Sequence, residues 1–378
     1  MSEVPQKVLH VIDSLDLGGA QTFLLGLVKN LDRGRYLPEV ACMHGRGVYA
    51  EAFEKEGITV HSLSAGKFPP TYIPQFWRLM RSEKYGILHF HLFGANLCAK
   101  PLAVLAGHQA IIVHDQCNDA SREKNPLLMT ADAFWNHCSN RVIAVSESTH
   151  RYLIDREDLP EDMVTMISNG IDTAEFRSST DSEKQKARRS LGIPADAFVL
   201  GGVGRLVPQK NFKTFLNVAA LVVAKNPEVI FIIAGTGHQQ EELKSMAVAL
   251  GLGDHIRFLG YVTDRISLYH ALDVLLMTSD FEGTPMSLLE AMSSGVPVVA
   301  HAVDGIAEVC TDGVDALLSP RGDSDGLVKA VKYLLADNEI RQKISANARK
   351  TILDRYDIRK LVQKIEAVYE DVLHEQSN

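Results

Sequence analysis

The chain has 378 residues, with 47 acidic against 39 basic side chains and a net charge of −8, which speaks against nucleic-acid binding. That length exceeds one ordinary core and points to two domains of a water-soluble, globular protein. Its five cysteines are odd in number, scattered and without C-x-x-C spacing, which argues against a disulfide framework or a zinc site and fits a reducing cytosol.

The N-terminal apolar run is too short for a signal peptide, and no stretch is apolar for long enough to span a bilayer. Two successive series of strand-then-helix follow. In the first, Val8–Ile12 is predicted as a buried parallel strand. Gly18 and Gly19 then precede a helical pattern over Ala20–Leu31. Such a turn lets the backbone approach a ligand and places an anion at a helix start, or it is simply structural. The third glycine of a dinucleotide fingerprint is missing, which weighs against a dehydrogenase. Strands Leu37–Met43 and Ile58–Ser62 flank a helix over Val48–Glu56. Residues 66–84 mix Phe68, Tyr72, Phe76 and Trp77 with Lys67, Arg78, Arg81 and Lys84. This is either a helix for a membrane interface or an ordinary crossover helix with its aromatics in the core.

The strand Ile87–Phe90 opens the run ILHFHLFGANLCA, where His89 and His91 share one face and Asn96 lies on the following helix. Two imidazoles can begin a metal site, but no carboxylate or third ligand lies near in sequence. Strand Ala110–Val113 ends in His114-Asp115, a polar pair at the strand end where open α/β sheets bind ligands. Strands Arg141–Val145 and Val164–Ile167 close this series. An Asn169-Gly170 turn and a mixed-charge stretch, residues 181–197, follow.

The second series opens with Phe198–Val203 and the loop GVGRLVPQKN. Arg205 and Lys210 stand five residues apart there, a pair able to clamp a diphosphate or merely two surface bases. Strand Glu228–Ala234 leads to Gly235-Thr236-Gly237 and a helix ending at Leu250. Strand His255–Leu259 leads to Gly260-Tyr261-Val262. Asp273–Met277 runs into DFEGTPMSLLEAMSSGVPVV, residues 280–299. Here Thr284 suits an N-cap, Pro285 the first helical position and Gly295 a stop, with Val298 and Val299 in a short buried strand. Glu282 falls before the helix and Glu290 two turns inside it, with the amides of Met286, Ser287 and Leu288 between. Acid, amide row, acid matches a ligand with hydroxyls at both ends and a diphosphate between, a nucleotide-sugar. An amphipathic helix with one capping acid and one solvated acid is the other reading. Asn338–Glu375 closes the chain as two charged helices broken at Tyr356-Asp357.

The stretch EGTPMSLLEAMSSGVPVV resembles the E-x7-E signature of retaining nucleotide-sugar glycosyltransferases, family 4, and GRL-x-P-x-KN resembles that family's second signature. The resemblance runs from Lys7 to about Leu373. It implies an α/β architecture of two Rossmann-like, doubly wound parallel-sheet domains facing a central cleft, the GT-B fold. The domains are expected over 1–177, with a C-terminal helix 357–378 packing back, and over 178–356. It implies that Glu282 faces the transferred sugar, Glu290 binds the ribose, and Arg205 and Lys210 hold the leaving diphosphate. Thr284, Met286, Ser287 and Leu288 join them on the donor, and Tyr261 and Val262 lie along the nucleobase. Gly19 is expected near the donor phosphates. Gly18, His91 and Asn96 are expected on the acceptor side, and His114 beside the reacting sugar.

The implied reaction moves a hexosyl group from a nucleoside-diphosphate sugar to a glycan or lipid-linked acceptor of the cell envelope. No metal and no cofactor are expected, and the implied place is the cytoplasm, with peripheral contact at the inner face of the membrane. A nucleotide-sugar epimerase, a sugar phosphorylase and a non-catalytic nucleotide-sugar-binding subunit are the alternatives. One loop, HAVDGIAEVCTDG, departs from the family pattern. Asp304 and Ala307 replace its first Gly and its Pro, while Glu308 remains.

Overall fold

Short apolar runs rich in Val and Ile cannot turn outward without exposing their whole length, so they pair side by side and take cover from helices on both faces. In this protein, seen in a computed structural model that describes residues 4–16, 18–63, 72–116 and 125–377, they form two parallel sheets. The first has the order β3-β2-β1-β4-β5-β6-β7: β1 (Gln6–Ile12), β2 (Tyr36–Cys42), β3 (Thr59–Ser62), β4 (Ile87–His91), β5 (Ile111–Asp115), β6 (Arg141–Ala144) and β7 (Val164–Met166). The second has the order β10-β9-β8-β11-β12-β13: β8 (Phe198–Val203), β9 (Val229–Ala234), β10 (Ile256–Gly260), β11 (Val274–Met277), β12 (Val298–His301) and β13 (Leu317–Ser319). Each predicted strand is present with its ends shifted by a residue or two; β4 and β5 run on to include His91 and the pair His114-Asp115.

The chain divides into two compact units, residues 1–170 with 358–378, and residues 171–357. The division falls before position 177 because residues 172–177 are tied to the second unit. The Phe176 ring lies 6.2 Å from Tyr269, and its carbonyl accepts from Ser293 Oγ. Chain re-entry into the first unit passes a crowded point, since a Cβ on Gly170 would stand 2.9 Å from the Ile358 Cα. The last helix, Ile358–Ser377, then covers the first sheet beside helix Gly19–Asn30. It is pinned there by Glu366, whose carboxylate accepts the Asp32 N–H at 2.7 Å, and by Tyr369, whose ring meets Tyr36 edge-on at 5.3 Å.

Helix Tyr72–Ser82 buries Phe76 and Met80 and leaves Arg78 and Arg81 exposed, as a crossover helix does. The earlier part of the aromatic-basic segment, residues 66–71, lies outside the described residues. Among the described residues no helix is long and apolar enough to cross a membrane.

Candidate active site

In the second unit, the loop after β8 is built to deliver one lysine. Gly204 and Gly235 take φ values of +158° and +145°, conformations that a side chain resists, and the two backbones touch: a Cβ on Gly235 would fall 1.9 Å from the Gly204 carbonyl oxygen. The Lys210 stem lies along Gly204, where a Cβ would approach its Cε to 3.3 Å. Pro208–Lys210 makes one turn of 3-10 helix. Asn211 then takes a left-handed conformation and caps helix Phe212–Val223, its side chain accepting the Thr214 N–H.

The loop after β11 is stitched to this one. Thr278 Oγ1 donates to the carbonyls of Lys210 and Asn211, the Asp280 N–H donates to Gln209, and Gln209 Nε2 donates to Phe281. The outcome is a contact across 72 positions: Lys210 Nζ donates to Glu282 Oε1 at 2.5 Å, and Ser279 Oγ donates to the same oxygen at 2.6 Å. The Glu282 side chain is 6% exposed and that of Lys210 16%.

The Glu282 backbone is fixed from the far side by the loop that departs from the family pattern. Asp304 takes a positive φ of 33°, and its carboxylate accepts the Glu282 N–H at 3.2 Å. Gly305 packs so tightly that a Cβ there would fall 1.7 Å from the Gly283 carbonyl oxygen. Asp304 thus occupies a glycine-like conformation and offsets the strain with a hydrogen bond to the candidate residue itself.

Helix Met286–Ser293 starts one residue later than predicted. Pro285 is its N-cap rather than its first helical residue, Thr284 lies outside it, and Gly295 takes the expected left-handed conformation after it. Of the three amides expected to be free, that of Leu288 already donates to the Pro285 carbonyl at 3.1 Å. Met286 and Ser287 remain as the helix-opening amides.

Glu290 sits inside the protein, 1% exposed. Arg265 donates to one carboxylate oxygen and Tyr269 Oη to the other, the latter at 2.8 Å. Burial pushes its carboxyl above the ordinary range, with Arg265 and Tyr269 pulling the other way. Arg265, Tyr269, Ser279 and Asp304 escape sequence reasoning. Arg265 and Tyr269 do stand four apart on one helix face, but nothing in that spacing names Glu290 as their partner. Arg205 is exposed and makes no ion pair among the described residues, and Tyr261 and Val262 follow the left-handed Gly260 at the end of β10.

The first unit encloses most of its expected site residues. Gly18 is the extended N-cap of helix Gly19–Asn30, with no positive φ to demand glycine. Asn96 is buried in a polar network, donating to Asp132 Oδ1 at 2.6 Å and Asn136 Oδ1 at 2.8 Å. Lys100 joins through Asn136 Oδ1 and Ser139 Oγ, both at 3.1 Å, and burial pulls its ammonium down to about 7.

His91 and His114 belong to a layer of four fully buried histidines that the register puts on one sheet face. His10 on β1 pairs with His89 on β4, and His91 on β4 pairs with His114 on β5. His10 Nδ1 and His91 Nε2 share a hydrogen bond of 3.0 Å, and Tyr369 Oη bonds His89 Nδ1 at 2.7 Å. Phe23 packs edge-on against His114 at 5.1 Å. Burial lowers all four imidazoles, His10 and His114 to about 3, so the rings are neutral at physiological pH.

Two doubly wound parallel-sheet units are the architecture of the GT-B fold, and comparison with known proteins bears this out. The family description "Glycosyl transferases group 1" matches residues 183–351, and "Glycosyltransferase Family 4" matches residues 17–175. A D-inositol 3-phosphate glycosyltransferase of Saccharomonospora viridis is 30% identical over 92% of this chain and 78% of its own length. The Escherichia coli UDP-Gal:alpha-D-GlcNAc-diphosphoundecaprenol alpha-1,3-galactosyltransferase is 27% identical over 79% of this chain and 78% of its own. Anabaena HepE, solved in complex with UDP-glucose, superposes with a TM-score of 0.86 at 24% identity, covering 97% of this chain and 99% of that one. The chain belongs to glycosyltransferase family 4.

Proposed function

We propose that this glycosyltransferase moves a hexosyl group from a nucleoside-diphosphate sugar, with retention and without a metal at the diphosphate, to a glycan or lipid-linked acceptor in cell-envelope polysaccharide synthesis. The observation that carries the reading is the Lys210–Glu282 contact at 2.5 Å, formed between two loops at the carboxyl ends of β8 and β11. It joins a cation able to bind phosphate to a carboxylate able to accept sugar hydroxyls. The names of two relatives support the donor and acceptor classes: the HepE structure holds UDP-glucose, and the E. coli enzyme acts from UDP-galactose on a lipid diphosphate.

In this reading the bond from the anomeric carbon to the diphosphate breaks, and charge grows on the leaving oxygen. Lys210, Arg205 and the amides of Met286 and Ser287 take up that charge, with donors fixed before the reaction starts. The departing phosphate accepts the proton of the acceptor hydroxyl, which bonds to the anomeric carbon from the same face. Glu282 orients the sugar, Glu290 accepts ribose hydroxyls, and Tyr261 and Val262 border the base. Of the first unit's set, Gly18 and Gly19 are accessible, and Asn96, His91 and His114 are buried. Contact with a membrane surface belongs to the same proposal, through helix Tyr72–Ser82.

The test begins with a thermal-shift screen against UDP-, GDP- and ADP-sugars, since a ligand at 100 times its Kd stabilises by about 2.7 kcal/mol. The stabilising donor is then assayed with lipid-diphosphate acceptors, and the anomeric configuration of the product is read by NMR. Inverted product, turnover of donor alone to an epimer, or turnover that requires inorganic phosphate would each overturn the proposal.

A further inference from the structure

The four-histidine layer of the first unit is more than packing. Four rings carry eight ring nitrogens. The chain's own hydrogen bonds use three of them: His10 Nδ1, His91 Nε2 and His89 Nδ1. The other five, His10 Nε2, His89 Nε2, His91 Nδ1 and both of His114, are enclosed and have no hydrogen-bond partner among the described residues. Buried polar atoms in native proteins are nearly always paired, with protein, ordered water or an ion.

The rings are close enough for one ion. Their centroids are 4.2 Å apart for His89 and His91, 5.2 Å for His10 and His89, and 5.3 Å for His10 and His91. One ring nitrogen from each of these three residues lies within 4.8 Å of the other two. Around an ion with bonds of about 2.0–2.1 Å, tetrahedral ligand atoms stand about 3.4 Å apart, inside the 4.8 Å that bounds the separations here.

We propose that His10, His89 and His91 bind one transition-metal dication of the zinc class, with water or hydroxide in the fourth position. The donor chemistry selects the metal. Three neutral imidazoles with no carboxylate among them suit Zn2+ and its neighbours, and do not suit Mg2+, Ca2+ or Mn2+, which take oxygen. His89 ligates through Nε2. Its Nδ1 then carries the proton and donates to the Tyr369 oxygen, the second contact that fixes tautomer and ring plane in histidine metal sites. Tyr369 belongs to helix Ile358–Ser377, so the ion secures the segment that returns from the far end of the chain. The missing third ligand of the H-x-H run is supplied by strand register, through His10 opposite His89. The ion is resident in the first unit's sheet and takes no part in holding the diphosphate, whose proposed charged residues, Arg205 and Lys210, lie in the second unit.

The experiment uses the full chain, free of any affinity tag, stripped with a chelator and titrated with Zn2+ against a chromophoric competitor, then with Co2+. Expected are one equivalent of Zn2+ per chain, a visible Co2+ spectrum of four-coordinate type, and slowed amide exchange in helix Ile358–Ser377 on metal addition. His10→Leu and His89→Gln should abolish uptake, and Tyr369→Phe should weaken it roughly 10- to 100-fold while leaving the fold intact by circular dichroism. X-ray absorption on the wild-type complex should show nitrogen-only protein ligands, a readout that survives if the histidine variants fail to fold. No stoichiometric uptake, uptake that persists in both histidine variants, a sulfur ligand, or preference for Mg2+ would overturn the assignment.

Discussion

Removing the Lys210 charge should separate what the pair does for stability from what it does for reaction. Lys210→Met leaves the Glu282 carboxylate almost enclosed, with Ser279 Oγ as its remaining side-chain donor. Breaking a buried pair by removing one partner costs about 3–5 kcal/mol. The 16% exposure of the Lys210 side chain admits some solvent screening and favours the lower end, about 3 kcal/mol. At roughly 2–4 °C per kcal/mol for a unit of this size, the melting temperature falls by about 6–12 °C. Glu282→Gln should cost less, about 1–2 kcal/mol, because its amide oxygen still accepts from Ser279 and Lys210 and the lysine reaches water. The double variant carries no unpaired buried charge and should melt above Lys210→Met, a coupling of about 2 kcal/mol. All three should lose roughly 10²–10³ in kcat, since each disturbs the same donor set. Calorimetry and the transfer assay on the four proteins decide the matter. Stability losses that simply add, or near-wild-type turnover in folded Lys210→Met, would refute the reasoning.

Arg265→Ala strips the charged partner from an enclosed Glu290 and should cost about 3–5 kcal/mol at neutral pH. Burial already raises the Glu290 carboxyl in the folded state, so folding favours its protonated form; the deficit should therefore shrink as pH falls through that raised value, read as melting temperature against pH. Gly235→Ala forces a Cβ against the Gly204 carbonyl and should cost about 2–4 kcal/mol while lowering kcat, because Gly204 carries the Lys210 stem; calorimetry and the transfer assay read both effects. Lys100 is lowered to about 7 from 10.5, so from pH 7 upward the unfolded chain binds the extra proton and stability should climb. Between pH 7 and 9 the wild type should gain about 2 kcal/mol over Lys100→Met in urea unfolding, and parallel curves would sink that expectation.

The strands were legible because a buried parallel strand is a continuous apolar run, which needs no partner to be recognised. What extended β4 and β5 beyond the apolar residues was pairing: His91 sits opposite His114, and nothing in either strand alone predicts that. The same limit governs the site. Lys210 and Glu282 came from signatures, while Arg265 and Asp304, 25 and 22 positions from the acids they serve, came from neither spacing nor composition. His10 was invisible as a possible ligand because its neighbour in space is on the next strand in the sheet, not the next in the chain. Pro285 was misplaced by one residue because its preference for a helix start does not distinguish a cap from the first turn.

The eight-residue spacing of the two acids puts them in different environments. Glu282 is held on a loop by a lysine from the β8 loop, and Glu290 inside a helix by an arginine and a tyrosine from the preceding helix. Each acid is therefore neutralised before any ligand arrives. Under the proposed function an incoming diphosphate does not meet a free lysine; it competes with Glu282 for Lys210. Glu282→Gln removes the competitor without removing the cation. The nucleoside diphosphate should bind this variant more tightly, about tenfold for each 1.4 kcal/mol that the lysine no longer spends on the carboxylate, even as transfer slows. Isothermal titration of the nucleoside diphosphate into wild type and Glu282→Gln reads the sign. A residue that merely touched the ligand would weaken binding when changed, so weaker binding here would mean that Glu282 does not share Lys210 with the diphosphate.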